Sequence, residues 1–562
     1  MAADRNRVSR TQAPRRRRGL HIGRLLALFA LAVVALLLVG GAACGACSWT
    51  TRPAAITITA EPKDATITIV GPSAGKAHTW EASSTLAIGP ATPGAGYLIT
   101  VSRTGYAPVE SFSVKPSAGQ SIDQTVKLRA LPVALDLSVR PETATWTVTP
   151  AESGGSPESG AGSTTRKLSP GRYSIAVTAA GSTPLRRDIT LEPGKSVTFT
   201  AWLDPSGQLV HKIAVFSCVP APKGVAVSPD NKQVWVTALV TQPSIAAYDP
   251  ATGRKLGSVN LGKNGAVEVI FNKAGTRAYA SQMQSASVFE IDTAAFRVLR
   301  TFRTKSVWTK VVELSPDEKT LYAANWSGND VSVIDLMSGK LVRNIPTVET
   351  PRGLYPTPDG KRLFVAGFGE KSFTGRLAVI DLATNKSKTF FTERHGAMRH
   401  MVGDPATGRL YTSDMGRAVV WVTDMTTLTT EKLAKVDSHP NTIALSPDGK
   451  VLFVSCRGAN NPTSYNLKGP EWGSILLLDA STGKPLDAII GGNQCTALAL
   501  SRDGKLLVFS DFLDARLRSY EIPPYGVLVA GGGGLYPAHF KMLRRPGWAD
   551  WIGGSGSTGG AN

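Results

Sequence analysis

After residue 53 the chain is written in short alternations of apolar and polar positions. Ile56 and Ile58, Ile67 and Ile69, then Tyr97, Ile99 and Val101 each stand one residue apart. A period of two predicts half-buried strands rather than helices. Turn chemistry separates the runs at Glu61-Pro62-Lys63-Asp64, Pro93-Gly94 and Thr104-Gly105-Tyr106. The same plan returns further on. Leu135, Leu137 and Val139 precede Arg140-Pro141-Glu142; Trp146 and Val148 follow; Tyr173, Ile175 and Val177 come after Ser169-Pro170-Gly171; Val197 and Phe199 come after Pro193-Gly194-Lys195. Two small β-sandwich modules are predicted, over 54–130 and 131–205, with a Gly/Ser-rich flexible loop from Glu152 to Thr164 in the second.

From residue 208 the pattern changes to a unit of about 43 residues, the length of a four-stranded propeller blade. Each unit runs from an apolar strand through a corner to an aromatic strand. The corners begin at Ser228, Asn272, Ser315, Thr357, Asp404, Ser446 and Ser501, spaced 44, 43, 42, 47, 42 and 55 residues apart. In Ser446-Pro447-Asp448-Gly449-Lys450 the proline sets φ at the first corner, the aspartate bonds the turn backbone, and the glycine accepts positive φ. Seven corners predict a seven-bladed β-propeller over 208–524. The last unit stops at Tyr520-Glu521-Ile522, so residues 208–214 are expected to supply its missing outer strand and close the ring, which removes free sheet edges. The fold class is all-β.

Two resemblances follow from these residues. The order strand, proline turn, strand, Pro170-Gly171-Arg172-Tyr173 strand and a last strand after Pro193-Gly194-Lys195 resembles the PEGA family of small envelope modules. Gly105-Tyr106 carries that signature in the first copy, and Gly181-Ser182 replaces it in the second. The phrases Leu321-Tyr322-Ala323-Ala324-Asn325 and Val333-Ile334-Asp335 look like the YVTN propeller family. The resemblances imply spacer or adhesive modules carrying a propeller.

The N-terminal 47 residues change the picture. Leu25 to Cys47 contains no charge and spans 23 residues, enough for roughly 34 Å of helix. The preceding residues 1–24 hold eight arginines against Asp4 alone, which places that basic tail on the cytoplasmic side. A single-pass helix in a bacterial cytoplasmic membrane, with the bulk of the chain periplasmic, is expected. A cleaved signal peptide and a lipid-modified Cys44 are the rival readings, and all three export the rest of the chain. The formal charge of +20 favours anionic partners, small or polymeric. Export and the lack of a clear aromatic stacking row argue against nucleic acid.

Candidate chemistry falls at the channel mouth. The residue five positions before each corner is Lys223, Val267, Lys310, Arg352, Arg399, Asn441 and Thr496, four of them basic, with Glu268 one place off that register. Convergence of this set predicts an anion or partner site. The enlarged loop Arg457–Gly473, with Tyr465, Lys468 and Trp472, is a candidate partner surface. His395, His400 and His439 lie near the same rim, without a spacing that fixes a metal, and no metal or cofactor is assigned. Cys456 and Cys495 are placed to form a cross-blade disulfide, the alternative being two buried thiols. Residues 525–562 read as a Gly-rich irregular tail with Tyr536 and Phe540 able to dock on the propeller. No Walker loop or HExxH motif occurs. The reading is a membrane-anchored binding or scaffold protein presenting its propeller to an envelope partner. The alternative is a lactonase-like or dehydrogenase-like propeller enzyme using Arg352, His395, Arg399 and His439 with Glu268 or Asp437 as the carboxylate.

Overall fold

The computed structural model describes residues 52–545 except 74, 153 and 154. The expected membrane helix, Cys44 and the end of the tail lie outside the described residues. Among the described residues no helix is long and apolar enough to cross a membrane.

The first module pairs Ala54–Glu61 with Thr85–Ala91 on one side and, in parallel, with Ser121–Lys127 on the other. A four-stranded sheet, Lys76–Ser83, Thr66–Ser73, Tyr97–Ser102 and Phe112–Val114, faces it. The alternating isoleucines Ile56, Ile58, Ile67 and Ile69 are fully buried between the two sheets, with Tyr97. The second module repeats that topology: Val133–Arg140 pairs in parallel with Val197–Trp202, opposite a sheet ordered Glu158–Ala161, Thr145–Pro150, Gly171–Thr178, Leu185–Leu191. The segment expected as a flexible loop is therefore partly an edge strand. Trp146 holds it, donating its indole N–H to Gly162 O at 3.1 Å.

Seven four-stranded sheets follow. Six run consecutively, with innermost strands Pro222–Val227, Val269–Phe271, Thr309–Leu314, Pro351–Pro356, Met398–Asp404 and Pro440–Leu445. The seventh joins Cys495–Leu500, Leu506–Asp511 and Arg516–Glu521 to His211–Ser217, which lies antiparallel to Arg516–Glu521 from His211↔Glu521 to Ser217↔Arg516. The closing strand thus begins three residues later than the sequence predicts. The corners fold as their chemistry dictates. The hydroxyls of Ser228, Ser315, Thr357 and Ser446 each donate to the aspartate two residues on, at 2.6 Å. Gly360, Gly449 and Gly504 take positive φ there, and Asn231 and Glu318 adopt the same left-handed backbone in blades one and three.

Blades are held by their two apolar faces. In blade six, Val451 and Phe453 pack with Leu498 and Phe509 of blade seven, whereas Leu452, Val454 and Cys456 pack with Tyr411 and Val420 of blade five. Each such buried side chain contributes about 1.5–3 kcal/mol. Alternation also decides the cysteines. Cys456 lies on the blade-five side of this sheet and Cys495 on the blade-seven side. Both are free and buried, which is the second of the two readings, and not the cross-blade disulfide.

The tail is more regular than its sequence suggests. Two short helices, Tyr525–Ala530 and Tyr536–Leu543, pack on the outer strand Pro485–Ile490 of blade six. Buried Asp487 accepts the N–H groups of Leu209, Val210 and Leu535, tying both ends of the propeller to one carboxylate. His539 is fully buried, with Nε2 3.1 Å from both oxygens of Asp437 and Nδ1 against Tyr536 O. Both ring nitrogens face acceptors, which only the imidazolium satisfies.

Candidate functional site

In the innermost strands a register shift follows the first pair, and the second residue stands at the rim opposite the corners. That position carries Lys223, Lys310, Arg352, Arg399, Asn441 and Thr496. Val267 lies just before its strand. The four cations feel one another. Burial first, and then the charges of Arg399, Arg457, Arg352 and Lys310, hold the Lys223 ammonium well below the usual lysine range. Lys310 is pushed down to about 6 by burial and by Arg352 and Arg399.

Arg457 makes a fifth cation that the corner register does not reach. It is the first residue after the second strand of blade six and is buried, with Nη2 donating to Gln494 Oε1. That same position in other blades supplies apolar walls: Trp326, Phe368 and Phe512. They interleave with the cations. Lys310 Nζ sits 3.4 Å from the Trp326 ring centre and 5.6 Å from Trp308. Lys223 lies 5.3 Å from Phe512, Arg399 5.5 Å from Phe368, and Arg457 5.8 Å from Tyr465. Ring faces partly compensate a desolvated cation, but they do not take its N–H groups.

Arg399 is oriented by Asn441, whose oxygen accepts from Nε while its amide donates to Thr496 O at 2.7 Å. This chain crosses blades five, six and seven. Arg352 and Arg457, each 7% exposed, are left with a buried donor lacking a partner, Nη1 and Nε respectively. An unpaired buried guanidinium N–H costs about 1–3 kcal/mol, so the mouth is built at the expense of stability.

Later residues of the same innermost strands line a cavity of about 780 Å³ that reaches the corner prolines Pro229, Pro316 and Pro447 on the other rim. Its charged lining differs. Glu268 and Glu313 face it with His400. Burial pushes the Glu268 carboxyl up to about 7, with Arg352 and Lys223 pulling the other way. Burial, then the field of Glu268, pushes Glu313 up to about 8. His400 falls to about 4 through burial and the field of Arg352, and stays neutral at pH 7.

The remaining expected residues divide. Tyr465 is exposed, and its backbone oxygen accepts from Gln494. Lys468 pairs with Asp514 of blade seven at 3.0 Å. The Trp472 backbone N–H donates to Leu543 O, and the Arg545 guanidinium stacks on the Trp472 ring at 5.1 Å. The enlarged loop is thus pinned by the neighbouring blade and the C-terminal segment. His395 sits exposed in a turn with φ 59°. His439 bonds Asn460 at 3.2 Å, and burial and Arg457 lower its pKa. Asp437 is spent on His539 and Ser474 and is not the channel carboxylate. Among the described residues no group of three or more His, Cys, Asp or Glu side chains is arranged to hold a metal ion.

Residues 269–530 match the family described as "Lactonase, 7-bladed beta-propeller". The lactonase-like match covers most of the propeller, including Lys310, Arg352, Arg399 and Arg457, and begins one residue after Glu268. Antigen Lp49 of Leptospira interrogans is 37% identical over 265 residues, covering 46% of this chain and 57% of that one. Hydrazine synthase subunit beta of Kuenenia stuttgartiensis is 26% identical over 204 residues, covering 35% of this chain and 45% of that one. The chain spans about half the length of the curated relatives it matches. Among solved structures, Kuenenia stuttgartiensis hydrazine synthase aligns with a TM-score of 0.48 at 18% identity, over 54% of this chain and 96% of that chain.

Proposed function

We propose that this chain is a ligand-binding protein whose propeller takes an anion at the cationic channel mouth. The observation that carries the reading is the pair of buried, partnerless guanidinium donors on Arg352 and Arg457, inside a cluster of five basic side chains. Acceptors on a negatively charged ligand would satisfy both donors and screen the mutual repulsion. In this proposal segment 25–47 anchors the protein with its bulk outside the cytoplasm, and the PEGA-like modules raise a YVTN-type propeller toward an envelope partner. Calorimetric titration of the full chain in detergent with mono-, di- and tricarboxylates and with inorganic phosphate tests it. Saturable binding that weakens when Arg352 or Arg399 is neutralised supports the reading, and no heat with any anion refutes it.

A second reading is favoured by the lactonase match and by the position of Glu268 beside Arg352. In an ester-hydrolysing propeller, Glu268 would take the proton from an attacking water and Arg352 would stabilise the oxyanion. Hydrolysis of a panel of aldonolactones that vanishes in Glu268→Gln supports this reading; turnover that survives the substitution removes it.

A further inference from the structure

We infer that the channel ligand is a small zwitterion, with its anionic group at the cationic mouth and an ammonium group between Glu268 and Glu313. This rests on the anion-binding reading and adds the ligand's other end. The channel is electrically polar along its length. Five basic side chains gather at the mouth, and Glu268 and Glu313 line the cavity on the corner side of it, where a third carboxylate, Glu318, accepts the Lys273 backbone N–H. Nitrogen and oxygen stay more than 4 Å apart between the two sets: none of the ion pairs among the described residues involves Glu268 or Glu313, although Arg352 and Lys223 both act on Glu268 through space. The opposite charges therefore act on each other without closing into an ion pair.

Other charges do not fill the acidic half. His400 is neutral at pH 7, and its buried Nδ1 has no partner. Lys273 and Arg502, at the outer lip, aim their side chains at backbone: Lys273 Nζ donates to Pro316 O and Arg502 Nη1 to Lys273 O at 3.2 Å. Two half-buried carboxylates in each other's field call for a proton or a cation, and an ammonium with three donors serves both at once. A cavity of about 780 Å³ is in the range of small-molecule sites. A hydroxylated acid would meet the same carboxylates with neutral donors, and a simple carboxylate would leave them unmet.

The test is calorimetry on the full chain in detergent at pH 8.5 with three probe series: ω-amino acids of increasing chain length, the matching unsubstituted carboxylates, and polyhydroxy acids such as gluconate. An ω-amino acid of optimal length is expected to bind roughly tenfold to a hundredfold tighter than its matching carboxylate. Glu313→Gln, which keeps the shape and an acceptor, is expected to erase that difference, with thermal melting to verify folding. If the unsubstituted carboxylate or the polyhydroxy acid binds as tightly as the amino acid, or if the preference persists in both Glu313→Gln and Glu268→Gln, the zwitterion is overturned while anion binding stands. If none of the three series binds, both fall.

Discussion

Replacing Arg352 by methionine should move stability and ligand affinity in opposite directions. Arg352 is 7% exposed, its Nη1 has no partner, and it faces Lys223, Lys310 and Arg399. Methionine keeps much of the volume and removes the charge. Relief of the unpaired donor is worth about 1–3 kcal/mol. Loss of the Arg352 field on Glu268 takes part of that back, because its carboxyl then rises further. A net gain of about 1–2 kcal/mol corresponds to a rise in Tm of about 2–6 °C. For an anion the sign reverses: one charge-assisted bond lost costs about 1.5–3 kcal/mol, or roughly tenfold to a hundredfold in Kd. Differential scanning calorimetry and isothermal titration with a tricarboxylate on the same preparations read both. A variant that melts lower and binds the anion unchanged would refute the account, since it would make Arg352 a structural residue that the cluster needs for folding.

Anion binding should take up protons. Lys310, held near 6 when free, charges fully when an anion arrives, so affinity is greatest below pH 6 and falls as pH rises above it; titration of a plain carboxylate in buffers of different ionisation enthalpy measures the uptake, and a pH-independent Kd between 6 and 8 contradicts it. The C-terminal helix Tyr536–Leu543 should loosen in alkali. Burial lowers the His539 pKa, but Asp437 and the Tyr536 carbonyl outweigh it and raise the net value, so its stabilisation is full below the unfolded pKa of about 6.5 and is lost as pH climbs through the raised folded value. Amide exchange of residues 536–543 should accelerate above that pH and do so at all pH values in Asp437→Asn; unchanged protection in the variant counts against the latch. Cys218, Cys456 and Cys495 should titrate as thiols only after denaturation, because burial raises all three, and a peptide map showing Cys456 linked to Cys495 would reverse the assignment made from the blade faces.

The repeat was legible because its corners use side chains for backbone work: a hydroxyl, a proline, an aspartate and a residue at positive φ leave the same trace in the sequence wherever they recur. Counting back five residues from those corners found Lys223, Lys310, Arg352, Arg399 and Asn441, since the register shift at the start of the innermost strand recurs too. Arg457, Trp326, Phe368 and Phe512 were missed. They belong to the end of the second strand, and a frame anchored on the first strand does not reach them; the residue after each Tyr-Ala-Ala-Asn-like stretch was the available signal. Glu313 was hidden as one more polar position in a strand. The sequence left the pairing of Cys456 with Cys495 open for a simpler reason: position along a rim does not say which face of a sheet a side chain leaves from. His539 could not be tied to Asp437 across 102 residues by any local pattern.

Closure by His211–Ser217 has a consequence for biosynthesis. Its partner strand emerges about 300 residues later, as the separation of 305 between Ser519 and Ala214 shows. A growing chain therefore carries an unmatched ribbon with open hydrogen-bonding groups until Arg516–Glu521 has been made, and every product terminated before that strand lacks a complete seventh blade. Such an edge is a template for intermolecular pairing, so the interval between making the first ribbon and the last is when this protein depends most on chaperones.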